Sequence, residues 1–188
     1  MQKYRKKHSI DWKETGTLAF CIALFPPLWA VLAAGLSVRT GAVALICAGL
    51  YVTNGNKKES AVSISLGFLL GDLWAVAALY IMNILPWNEN INLFLTLFVM
   101  GGMEVILSAL SGGWIFCPAW LCGWAIGLTV MSPAGAGNLG TYPLEIAVAM
   151  LAGVWYVGVF LDFMQKKMQK VLDERRKPRS ASVFHKYG

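Results

Sequence analysis

Apolar residues fall into six runs along the chain: 16–38, 41–53, 60–85, 91–110, 114–131 and 143–164. A hydrocarbon core about 30 Å thick takes roughly 20 apolar residues of helix to cross, and most of these runs reach or approach that length. The second is the short one. The fifth carries Pro118 in its first turn or two, where a missing N–H harms a helix least. Between the third and fourth runs, Pro86-Trp87-Asn88-Glu89-Asn90 reads as a compact polar turn. The pattern predicts an all-α polytopic integral membrane protein with six transmembrane helices. Past the sixth run, Met164, Met168, Val171 and Leu172 recur at helical spacing among Lys166, Lys167 and Lys170. That stripe predicts a helix continuing as an amphipathic segment on anionic headgroups. The expected organisation is a basic N-terminal tail over 1–15, a six-helix domain over 16–165 with halves 16–85 and 91–165, and a basic C-terminal helix and tail over 166–188.

Composition sharpens this picture. Hydrophobic residues make up 57% of the chain and charged residues 14%, against roughly a quarter charged in a soluble domain. A disordered chain is excluded, and no room remains for a soluble catalytic domain. The formal charge of +6 sits in the tails: five basic residues lie in 1–15 and eight from Lys166 onward. Basic ends around an apolar middle fit the lipid bilayer as partner and not nucleic acid. Basic residues in short loops face the cytoplasm. Both tails and the Lys57-Lys58 loop agree on one side, and only Arg39 dissents. The expected location is the bacterial inner membrane, multi-pass, with both termini cytoplasmic. The N-terminal apolar run lacks a clean A-x-A site and reads as a retained first helix rather than a signal peptide.

Three helices precede the Pro86 turn and three follow it. Leu36-Ser37 with Gly41 recurs as Leu107-Ser108 with Gly112, each followed by a cysteine, Cys47 or Cys117. Gly71 before Trp74 is echoed by Gly153 before Trp155. A duplication and chance resemblance in apolar sequence both remain open. A real duplication would make two inverted three-helix repeats, an architecture that puts a transport pathway at the interface of the halves.

The chemistry on offer is narrow. The four cysteines sit in apolar runs, and His8 and His185 lie in the tails, so no metal site and no cofactor are expected. No nucleophile elbow, HExxH or P-loop occurs, and the chain reads as no enzyme. The sharpest signals are Asp72 and Glu104, acids near the middle of the third and fourth spans with no Lys or Arg at matching depth. Each would cost about 3 kcal/mol or more if it faced lipid as an anion. They can line a hydrated cavity, pair with an external cation, or serve as protonated structural groups. Gly71 and Trp74 flank Asp72, which makes it the stronger of the two. Trp124 and Trp155 offer deep aromatic faces suited to an organic cation. Asn54 belongs to one of two irregular Gly/Asn segments that follow a short middle helix, the other being 132–138. Close helix packing is the competing account of the glycine pairs Gly67–Gly71 and Gly123–Gly127.

From Leu32 to Tyr80 the chain resembles the YcdZ-like family of small bacterial inner-membrane proteins (domain of unknown function 1097). The likeness rests on the turn near Leu36, Cys47, Tyr51 before a polar loop, and Gly71 with Trp74. Cys117-Pro118 through Gly123 is similar to the family's fifth helix, and coverage is roughly 16–165. The resemblance implies membrane class and bacterial origin, and no activity. The residues themselves suggest a channel or transporter for a small neutral or cationic solute, its path lined by Asp72, Glu104, Trp74, Gly71, Trp124, Trp155 and Asn54. The alternative is a non-transporting scaffold or assembly partner docked through the basic C-terminal helix. Six short helices enclose little interior, so a homo-oligomer is also expected.

Overall fold

In the computed structural model, residues 12–36 and 38–176 are described. The tail segments 1–11 and 177–188, with His8 and His185, lie outside the described residues, as does Ser37. Helices α1 (Trp12–Gly35), α2 (Val43–Thr53), α3 (Lys58–Ile84), α4 (Glu89–Leu110) and α5 (Cys117–Met131) are followed by a 3₁₀ turn, Ser132–Ala134. Then comes one long rod: α6 (Tyr142–Ala152), a π-helical stretch (Gly153–Phe160) and α7 (Leu161–Arg176). No strand occurs among the described residues.

Four helical segments are long and apolar enough to cross a membrane: Thr15–Gly35, Lys58–Ile84, Glu89–Leu110 and Tyr142–Glu174. The two middle helices fall short of that length. At 11 and 15 residues, α2 and α5 measure about 16 and 22 Å at 1.5 Å per residue. The expected start of the fifth run at 114 moves to Cys117, because Ser111, Gly112 and Gly113 form a turn and Pro118 sits at the head of the helix. The rod runs unbroken from α6 into α7, so the sixth run continues as helix beyond residue 164, as the spacing of Met164, Met168, Val171 and Leu172 predicts.

Two pairs of parallel helices make the centre. Gly67, Gly71 and Ala75 of α3 face Ala119, Gly123 and Gly127 of α5, so the two backbones touch. A Cβ added to Gly67 would come 2.7 Å from the Phe116 carbonyl, and one on Gly123 2.6 Å from that of Phe68. In the second pair, Gly153 of the π stretch lies on Ala44 and Cys47 of α2, and Gly158 lies on the Tyr51 ring. Small residues at these contacts let helices gain dispersion contact where lipid supplies no hydrophobic drive.

The remaining helices flank this centre. On one side α1 packs antiparallel on the rod, through Phe25 with Phe160 (ring centroids 5.5 Å apart) and Gln169 donating to Thr17 (3.2 Å). Met168 meets Cys21, so part of the amphipathic stripe expected on headgroups is covered by α1. On the other side α4 packs antiparallel on α3 and beside α5. Tight turns join the elements: Gly55 and Asn56 both take positive φ (81° and 54°) to turn the chain from α2 into α3, a conformation glycine and asparagine tolerate.

Candidate functional site

Most of α4 is exposed apolar surface, as a lipid-facing helix requires. Its buried residues are Asn92, Thr96, Met100, Glu104 and Ser108. They recur every fourth position and so form one slowly winding row against α3 and α5. Four of the five are polar. The helix therefore buries a polar seam and turns its apolar residues outward, the reverse of a water-soluble helix.

Both ends of the seam are bonded. At one end the Asn92 amide donates to the carbonyls of Met82 (3.2 Å), Leu85 (3.0 Å) and Trp87 (3.2 Å), closing the α3–α4 turn. The Asn88 side chain caps α4 by accepting from the Ile91 N–H at 2.9 Å. At the other end the Ser108 hydroxyl donates to the Ile115 carbonyl (3.1 Å). Between these ends the bonding stops. Glu104 is 0% exposed and neither carboxylate oxygen has a hydrogen-bond partner. The Thr96 hydroxyl is likewise buried without a partner. Leaving such a group unpaired costs about 1–3 kcal/mol, more if it is charged, and such groups call for an explanation.

Asp72 lies close in depth. Trp74 donates to the Met100 carbonyl at 3.3 Å, and Asn92 meets Met82. This antiparallel register sets Glu104 roughly opposite Leu70, within about 3 Å in depth of Asp72. Asp72 is 2% exposed with Oδ1 unpartnered. Its surroundings differ, however. Oδ1 lies 3.4 Å from where a Cβ on Gly127 would stand, at the edge of the close α3–α5 contact. Glu104 instead lies within electrostatic reach of the Cys122 thiol on α5.

Three indoles wall the region. Trp74 and Trp120 meet edge to face with centroids 5.4 Å apart. The Trp124 ring lies against Gly101, one turn from Glu104. The indole N–H groups of Trp120 and Trp124 are buried without acceptors. Unpaired donors and unpaired acceptors thus share one three-helix interface without meeting each other. A small polar guest that both donates and accepts hydrogen bonds would suit such a set.

Of the residues singled out from sequence, Glu104, Trp74 and Trp124 come together between α3, α4 and α5, whereas Asp72, two residues from Trp74 and so on another face of α3, lies beside Gly127. Gly71 stands beside them with its open side pressed on the backbone of Trp120 and Trp124, so it serves packing. Trp155 lies elsewhere: it sits on the π stretch, 44% exposed, donating to the Ser65 hydroxyl at 3.0 Å. Asn54 ends α2 in the turn before α3, also apart from the acids. Sequence reasoning missed Asn92, Thr96, Ser108, Trp120 and Cys122. The fourfold spacing of polar residues in 92–108 was the available signal for three of them. It also missed Asp162, a buried acid whose carboxylate pairs with Lys166 at 2.7 Å.

The family model described as Protein of unknown function (DUF1097) matches residues 19–166. No curated protein and no solved structure matches the chain.

Proposed function

The chain belongs to the DUF1097 family of proteins of unknown function, which hands on no activity, and we propose that it moves a small neutral or cationic solute across the bacterial inner membrane. The observation that carries this reading is Glu104, fully buried with both oxygens unpartnered on a polar seam that runs the length of α4. An acid without a basic partner argues against an anion pathway. The polar row offers a route from the Asn92 turn to the Ser108 end, past the level of Asp72. The indoles of Trp74, Trp120 and Trp124 supply its walls. Both carboxyls are sealed here, so passage requires α4 to part from α3 and α5.

Two further parts belong to this reading. The parallel pairing of α5 with α3, and of α2 with the π stretch, is the exchange expected of two inverted halves, each middle helix lying along the last helix of the other. It supports six crossings, with α2 and α5 as the short ones, each laid along a longer helix. An even number of crossings with the Lys57-Lys58 loop inside keeps both termini cytoplasmic. Arg39, the one dissenting basic residue, has Glu145 beside it. No enzymatic step is part of the proposal, and a homo-oligomer would shield the exposed face of α4.

Reconstitution in proteoliposomes tests it. Influx of methylammonium, guanidinium, urea or protons should exceed that of empty vesicles for at least one solute. Glu104→Gln, which keeps the shape and loses the charge, should fold and lose that flux. Flux indistinguishable from empty vesicles for every solute would favour the scaffold docked through α7.

A further inference from the structure

A cleft separates α1 from α2. Its upper part, about 430 Å³, is lined by Pro26, Trp29, Ala33, Arg39, Gly41 and Leu45. Its lower part, about 380 Å³, is lined by Leu18, Ile22, Pro26, Leu45, Gly49 and Val157. Pro26 and Leu45 border both, so the two make one groove with almost wholly apolar walls. From Leu18 to Ala33 it runs about 22 Å along α1, longer than one leaflet's hydrocarbon depth of about 15 Å. Small residues on both helices, with α2 only 11 residues long, leave it open.

The groove ends at Arg39, which also borders a polar cavity of about 310 Å³ with Asn138, Gly140, Thr141, Tyr142 and Glu145. In that cavity the two Glu145 oxygens accept from the Thr141 hydroxyl (2.7 Å) and from the Arg39 backbone N–H (3.0 Å). The Arg39 guanidinium has no hydrogen bond or ion pair among the described residues. The neighbouring Thr40 hydroxyl is buried without a partner. An apolar slot as long as an acyl chain thus opens on one cation and one anion side by side.

We propose that this groove is a binding site for a zwitterionic phospholipid of the phosphatidylethanolamine type. One acyl chain lies between α1 and α2, the phosphate meets the Arg39 guanidinium, and the primary ammonium donates to Glu145. A guanidinium matches phosphate with paired donors, and Glu145 retains lone pairs for an N–H cation. An anionic headgroup without an amine meets Glu145 unfavourably, and a choline headgroup has no N–H to donate. The site stands apart from the α4 seam and is independent of any transport.

Native mass spectrometry of the full chain, titrated with palmitoyl-oleoyl phosphatidylethanolamine, phosphatidylcholine and phosphatidylglycerol, tests it. One phosphatidylethanolamine should bind several-fold more tightly than either rival. Arg39→Gln should weaken it about tenfold, the scale of one charge-assisted bond. Glu145→Gln should bring phosphatidylethanolamine down to the level of phosphatidylcholine. Gly49→Leu should empty the groove of all three lipids while the protein stays folded, because a Cβ there meets nothing within 4 Å and leucine favours helix. A melting curve in detergent checks each variant's fold. Equal binding of phosphatidylglycerol, or unchanged lipid binding in Gly49→Leu, would overturn the proposal. So would a Gly49→Leu variant that loses a dimer and keeps its lipid, since the groove would then be an interface between copies.

Discussion

Two of the helices that pack against α3, α5 and α4, do so by opposite means. Along α5 the contact is backbone on backbone, through Gly67 and Gly71 facing Ala119 and Gly123. Along α4 it is a row of polar side chains whose two ends are bonded and whose middle, at Thr96 and Glu104, is not. A glycine contact fills its space with protein and leaves nothing for a guest to replace. A polar seam with unpaired groups gains bonds when a guest enters. The difference separates two acids at almost one depth: Asp72 borders the glycine contact, while Glu104 belongs to the polar one.

The sharpest way to break that comparison is a pair of isosteric changes. Glu104→Gln should lower solute flux more than tenfold with folding intact, since an amide carries no charge and each factor of ten is only about 1.4 kcal/mol. Asp72→Asn should lower it less. Flux lost in Asp72→Asn and kept in Glu104→Gln would reverse the assignment and restore Asp72 as the stronger group. Next in size is stability. Gly71→Val drives a branched side chain into the Trp120 and Trp124 backbone and should cost about 3 kcal/mol or more. Gly102→Ala on α4, where an added Cβ meets nothing within 4 Å, should stay within about 0.5 kcal/mol of wild type. Melting in detergent compares them, and equal losses would deny the contrast between the contacts. Smaller again is Asn92→Leu, which strips the α3–α4 turn of its shared donor and should cost about 1–3 kcal/mol. A neutral result there would mean that α4 is held by its apolar contacts alone.

Much of this layout was legible in the chain. The Pro86 turn and the long third and fourth helices follow from hydropathy and proline chemistry, which act locally. The acids at mid-depth were legible too, because a charge among apolar residues stands out at any reading. Trp155 and Asn54 were not. Both carry the residue types that line pathways, yet Trp155 turns to Ser65 and Asn54 closes a helix end. Residue type says what a side chain can do and leaves open which neighbour it meets.

That division has a physical origin. The free energy of entering lipid is close to a sum over residues, so the sequence by itself determined which segments are apolar helices, where they turn, and which charged residues lie within them. Association between helices in lipid has no hydrophobic drive and depends on how surfaces fit. Only the tertiary structure decided that the glycines of α3 meet those of α5, that Gly153 seats the rod on α2, and that α4 turns its polar row inward. The two glycine contacts join residues some 50 to 110 positions apart, and no local pattern encodes them.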